Sequence, residues 1–112
     1  RMGAKIAGLG AAILKNRVKI GRIKYAMFSG KFARRTDKKP TDVDLIIVGT
    51  IVLPEIAILI RDEEKRLGRE INYTVMTEEE FSFRKKKRDP FILSVLSGSR
   101  VMLYGDEESM LA

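Results

Sequence analysis

Two aspartates separated by one residue, Asp42 and Asp44, are the side chains of this sequence best suited to chemistry. They directly precede the apolar run 45–48, which is typical of a strand covered on both faces. Residues two apart in a strand point to the same side, so the two carboxylates would project together. Such a pair repels unless a cation lies between its members, and Mg²⁺ typically takes one or two protein carboxylates together with substrate phosphates. The alternative is a turn-capping Asp42 and a solvated Asp44.

A glycine turn with basic residues lies about a dozen residues ahead of this pair. An alternating strand predicted over 23–28 ends at Ser29 and Gly30. A tight turn requires this glycine in any case, but a bare backbone also lets a phosphate approach the amides of Gly30 and Lys31. Lys31, Arg34 and Arg35 could neutralise triphosphate oxygens. The sequence has no G-x-x-x-x-G-K-[ST] motif, so it is not a P-loop.

Composition limits the chemistry that is available. The 112 residues make one domain, and 45% apolar with 33% charged residues is typical of a soluble globular protein. The absence of cysteine and histidine excludes disulfides, thiolate zinc sites, imidazole metal sites and Ser-His triads. No apolar stretch approaches the roughly 20 residues that span a bilayer, so we expect a cytoplasmic location and no membrane partner.

The net charge of +7 is unevenly distributed. Residues 1–40 contain twelve Lys or Arg against Asp37 alone and carry +11, which leaves −4 for residues 41–112. This asymmetry favours a polyanionic partner, either nucleoside triphosphate or nucleic acid. The alternative is a solvated basic surface without a partner.

Hydrophobic periodicity and turn residues predict the elements that hold these side chains. The predicted helices are 4–16, 54–67 between Pro54 and Gly68, 77–88 with a Thr77–Glu80 capping box, 90–98, and a terminal turn or helix from Gly105. The predicted strands are 23–28, 42–48, 70–76 and 101–104. We expect a basic connection over 16–21 and a turn at Gly49-Thr50.

Over about residues 20–105 this order resembles the minimal nucleotidyltransferase domains of the polymerase-beta-type superfamily. That family has a G-S-x-A-R-like turn followed by S-D-h-D-h-h-h. The corresponding segments here are Gly30-Lys31-Phe32-Ala33-Arg34 and Thr41-Asp42-Val43-Asp44-Leu45-Ile46-Ile47. Segments 67–81 and 89–92 look closer to one branch, in which a nucleotidyltransferase-like domain follows an arsenic-repressor-type winged helix in prokaryotic proteins. No winged helix fits in residues 1–20, so the chain looks like the nucleotidyltransferase part alone, 1–112, with a core at 21–105.

The resemblance implies an α/β (α+β) fold with a small mixed sheet of about four strands flanked by helices. It also implies that Asp42 and Asp44 ligate Mg²⁺ and that the triphosphate is bound at the turn, by Ser29, Gly30, Lys31 and Arg34. A third carboxylate, from the next strand, would accept a proton from the attacking hydroxyl. Its expected position holds Asn72, which cannot do so at neutral pH. Glu70, on the same face of a strand over 70–76, is the candidate substitute.

Two functions follow from this resemblance. The first is a Mg²⁺-dependent nucleotidyltransferase that moves an NMP from an NTP to a hydroxyl on a small molecule, RNA or protein. The second is a catalytically weak domain of the same fold, acting as a nucleotide sensor or interaction domain in a transcriptional regulator or toxin–antitoxin pair. The retained aspartates favour the first, whereas Asn72 and Lys31 favour the second. The acceptor, the preferred base and the oligomeric state stay open.

Overall fold

A computed structural model describes residues 2–29, 43–98 and 100–111. Within these ranges the helices are α1 (Met2–Lys15), α2 (Arg17–Ile20), α3 (Leu53–Leu67), α4 (Glu78–Lys86), α5 (Pro90–Ser97) and α6 (Glu107–Leu111). The strands are β1 (Gly21–Ser29), β2 (Leu45–Ile51), β3 (Tyr73–Met76) and β4 (Arg100–Tyr104). They form one mixed sheet in the order β3-β2-β1-β4, with β2 parallel to β3 and antiparallel to β1. The predicted α/β class with a four-stranded mixed sheet is confirmed.

Helices cover both faces of the sheet, because its two central strands carry apolar residues on both sides. On one face, Leu45 and Ile47 of β2 pack against α1, α2 and α3. On the other, Ile46 and Val48 pack with residues of α4, α5 and α6. All four of these side chains are at most 4% exposed. The prediction that this run forms a strand covered on both faces is therefore confirmed.

The helix ends follow the local signals in the sequence. Pro54 lies in the first turn of α3, and Gly68 ends the helix in the left-handed conformation with φ 71°. The Thr77 hydroxyl accepts a hydrogen bond from the Glu80 amide at 3.0 Å, which confirms Thr77 as the N-cap of α4. The Asp89 carboxylate caps α5 in the same way, accepting from the Ile92 amide at 3.2 Å.

Two connections differ from the prediction. The expected basic connection over 16–21 contains the single-turn helix α2, which buries Ile20 and directs its carbonyl oxygen to the Val52 amide at 2.6 Å. The predicted turn at Gly49-Thr50 is wrong, because both residues lie within β2. Gly49 is paired with Ile23 at φ 153°, and a Cβ on it would overlap the Arg22 carbonyl oxygen. This glycine therefore serves close strand pairing rather than a turn.

The third strand is shorter than predicted, since it begins at Tyr73 rather than at residue 70. The two preceding amides are bound by side chains instead of by a neighbouring strand. The Ile71 amide donates to the Glu64 carboxylate at 2.8 Å, and the Asn72 amide donates to Asp44 Oδ2 at 2.9 Å. Glu70 and Asn72 therefore precede the strand, and the sharing of one face by their side chains stays a prediction.

Replacing Gly49 by alanine should lower the free energy of unfolding by about 2–4 kcal/mol, since backbone strain and overpacking act together there. The matched control is Gly68→Ala. A Cβ at Gly68 meets nothing within 4 Å, so the loss should be about 1 kcal/mol, from the left-handed backbone alone. Urea denaturation of both variants measures the difference. Equal losses would contradict the close approach of β1 and β2 at Gly49.

Candidate functional site

One edge of the sheet gathers the end of β1 and the beginnings of the other three strands. This follows from the pairing, because β1 runs opposite to β2 and β4 while β3 runs parallel to β2. Across this edge, in strand order, lie Asn72, Asp44, Ser29 and Arg100. Residues far apart in the sequence are thereby brought to one end of the molecule.

Asp44 is the most buried carboxylate residue of this edge, with 1% of its surface exposed. Its amide donates to the Asn72 carbonyl oxygen at 2.7 Å, and its Oδ2 accepts from the Asn72 amide at 2.9 Å. On the other side, the Ser29 amide donates to the Asp44 carbonyl oxygen at 2.8 Å. Asp44 thus joins the ends of three adjacent strands and is not a solvated residue.

The structure brings together some of the predicted site residues. Asp44 and Ser29 are neighbours at this edge, and Asn72, which holds the expected position of the third carboxylate, lies directly beside Asp44. Glu70 is exposed and precedes β3. The remaining predicted residues lie outside the described part of the chain: Asp42, Gly30, Lys31, Arg34 and Arg35. Within residues 2–29, 43–98 and 100–111, no group of three or more acidic side chains is arranged to hold a metal ion.

Arg100 is a residue of this edge that sequence reasoning did not select. It is paired with Ser29 in the sheet, and its side chain is 11% exposed. The guanidinium donates to the Glu107 carboxylate at 2.7 Å and to the Leu96 carbonyl oxygen. Arg100 therefore ties α5 and α6 to the first residue of β4, a role that a lone arginine in a sequence does not indicate.

A second buried carboxylate, Glu63, belongs to helix packing rather than to this edge. Glu63 accepts from Arg66 Nη2 at 2.6 Å and from Nε at 2.9 Å. This hydrogen bonding raises the pKa of the Arg66 guanidinium. The guanidinium lies against Gly8, where a Cβ would overlap it, so the pair fills the contact between α3 and α1.

No family model, curated protein or solved structure matched this chain. Within the described ranges, the helices lack the combination of length and apolar content that crossing a bilayer requires.

The hydrogen bond from Asn72 to Asp44 predicts different effects for two substitutions of Asp44. Asp44→Ala removes the acceptor of a partly buried amide and should cost about 1–3 kcal/mol of unfolding free energy. Asp44→Asn keeps a side-chain oxygen there and should cost about 1 kcal/mol or less. Asp62→Ala, on the exposed side of α3, is the control. Urea denaturation distinguishes them, and equal stability of both Asp44 variants would show that this hydrogen bond contributes little.

Proposed function

We propose that the domain binds a nucleoside triphosphate with Mg²⁺ at this edge and transfers the nucleotide to a hydroxyl acceptor, as a nucleotidyltransferase does. The observation that supports the proposal is the parallel register of β2 and β3. It starts with Leu45 opposite Tyr73, so the residues just before each strand, Asp44 and Asn72, are aligned beside Ser29. A carboxylate, an amide and a hydroxyl residue therefore converge on the point from which the basic segment 30–42 departs and returns.

The donor types at this edge suit a hard cation. Asp44, Asn72 and Ser29 all carry side-chain oxygens, and oxygen donors are the ligands that Mg²⁺ prefers. Asp44 would hold the ion, together with Asp42 by the sequence pattern. An ion held there would supply positive charge to the phosphates of the nucleotide during transfer.

The residues of the chain have separate tasks in this proposal. The strand ends fix the position of Asp44 through its backbone bonds to Ser29 and Asn72, which limits the reorganisation needed when nucleotide binds. Gly30 and Lys31 follow Ser29 directly in the sequence and would receive the phosphates. Glu70, exposed beside this edge, is the carboxylate assigned to the proton of the attacking hydroxyl.

Nucleotide binding with little turnover is the second candidate, and one observation favours it. The residue aligned with Asp44 on the neighbouring strand is Asn72, whose neutral amide cannot accept a proton. Glu70 lies outside β3 and so has no strand to hold it in position. In that case the same edge senses nucleotide and passes the signal to a partner protein.

Mg²⁺-dependent nucleotide binding should depend on the charge of Asp44. Calorimetric titration with ATP and GTP in the presence of Mg²⁺ should show affinity for Asp44→Asn at least about tenfold below that of the parent. Asp42→Asn should behave in the same way, whereas Asp62→Asn should leave affinity unchanged. Unaltered binding by both site variants, or binding that is indifferent to Mg²⁺, would refute this assignment.

Transfer activity distinguishes the two candidates. If Glu70 accepts the proton, Glu70→Gln should reduce transfer by about 10²-fold or more while NTP affinity is retained. If the position of Asn72 marks a lost base, the parent should transfer little nucleotide and Asn72→Asp should increase transfer. The measurement is incorporation of radiolabelled NTP into hydroxyl, RNA and protein acceptors. Robust parent activity that neither substitution alters would place the proton acceptor elsewhere.

A further inference from the structure

The opposite end of the sheet carries a concentrated basic surface. Five exposed cations lie within ten residues of sequence, around the α1–α2 junction and the first half of β1: Lys15, Arg17, Lys19, Arg22 and Lys24. These five residues are called the basic surface below. No Asp or Glu occurs between residues 2 and 29, so the segment itself supplies no compensating charge.

The rest of the described chain does not neutralise the basic surface either. Its ion pairs involve Arg66, Arg84 and Arg100, and none of the five cations lies within 4.0 Å of a carboxylate in the described ranges. The Nζ of Lys24 lies 5.8 Å from the centre of the Tyr25 ring. Glu55 in the first turn of α3 and Asp106 after β4 belong to the neighbouring elements, and both stay outside ion-pair distance.

Two of the five cations, Arg22 and Lys24, lie on a two-stranded ribbon that extends beyond the rest of the sheet, and the other three lie on α1 and α2. β4 pairs with β1 only from Ala26 onward, and β3 pairs with β2 only over Leu45–Val48. The segments 21–24 of β1 and 49–51 of β2 therefore extend beyond both outer strands. Lys24 and Ser29 are five residues apart along β1, a distance of about 16 Å. The basic surface is thus separate from the edge that holds Asp44.

We propose that the basic surface binds the phosphate backbone of a nucleic-acid duplex. Five exposed cations within ten residues of sequence, with no described carboxylate at ion-pair distance, suit the dense, regular charge of a duplex. The surface has no exposed aromatic side chain on which single-stranded bases could stack, since Tyr25 is only 7% exposed.

Binding through the backbone has two consequences. It is independent of base sequence, because phosphate contacts position a protein without reading bases. It also leaves the Asp44 edge available, so nucleic acid held here is a docking partner and not the hydroxyl acceptor. This inference does not depend on nucleotide transfer, and it stands if the Asp44 edge proves inactive.

The test is fluorescence anisotropy of a short labelled DNA duplex, measured with the whole chain over a range of KCl concentrations. For the parent, log affinity should fall with log salt with a slope of at least about −4, as five neutralised phosphates require. In a variant with all five cations of the basic surface changed to Gln, the slope of log affinity against log salt should be shallower by about four. The matched control changes Arg61, Lys65, Lys86, Lys87 and Arg88 to Gln, which removes the same three Lys and two Arg from other exposed positions.

The proposal predicts a weakened basic-surface variant, a control close to the parent, and Mg²⁺-NTP titration curves that are identical for all three. Thermal denaturation verifies that the variants are folded, which is expected because every substituted side chain is exposed. Equal losses in both variants would overturn the proposal, because net charge alone would then explain binding. So would absence of duplex binding by the parent at low salt. Tighter binding of single strands, of an acidic polypeptide or of phosphatidylserine vesicles than of the duplex would also overturn it.

Discussion

The reciprocal contact between Asp44 and Asn72 is the constraint on which the sheet depends. The parallel pairing of β2 with β3 starts there, with a backbone hydrogen bond of 2.7 Å in one direction and an amide-to-carboxylate hydrogen bond of 2.9 Å in the other. A parallel pair needs a crossover that returns to the edge where it began. The 15 residues of α3 extend about 22 Å, which matches the length of the seven-residue strand β2. The helix thereby delivers residues 69–72 to the beginning of β2.

The two ends of the sheet differ in chemistry because β1 and β2 are longer than the strands beside them. At one end all four strands meet, and the polar residues there are held by backbone hydrogen bonds across the edge. At the other end the segments 21–24 and 49–51 pair only with each other, so they have no strand neighbours on their outer sides. Strand length therefore separates the edge that holds Asp44 from the basic surface. On the two proposals made above, a polyanion bound at the basic surface would not compete with a nucleotide bound at the Asp44 edge.

The parts of the fold that the sequence predicted are those with local signals. Thr77 and Glu80 are three residues apart, and Gly68 directly follows the helix it ends. The four consecutive apolar residues 45–48 predict a strand that is buried on both faces, as observed. What the sequence did not predict depends on partners far along the chain. The Asn72 amide is bound by the Asp44 carboxylate, 28 residues away, just ahead of β3. Gly49 is required because the carbonyl oxygen of Arg22, on the paired strand, occupies the space that a Cβ would need. The position of Asp44 beside Ser29 follows from the strand register, and the start of β3 at Tyr73 leaves Glu70 and Asn72 ahead of the strand that alternation assigned to 70–76.

The identity of residue 72 joins the stability of this edge to its chemistry. Its backbone amide supports the fold whatever its side chain is, since that amide donates to Asp44. A carboxylate at this position would add a second negative charge beside Asp44, which is 1% exposed, and little water would screen the repulsion. Such an edge would be less stable than the present one unless a cation were bound. Asparagine has nearly the same shape without the charge, so this repulsion does not oppose the pairing of the strands. The asparagine amide is also neutral and accepts no proton, so the identity of residue 72 bears both on the stability of this edge and on the chemistry proposed for it.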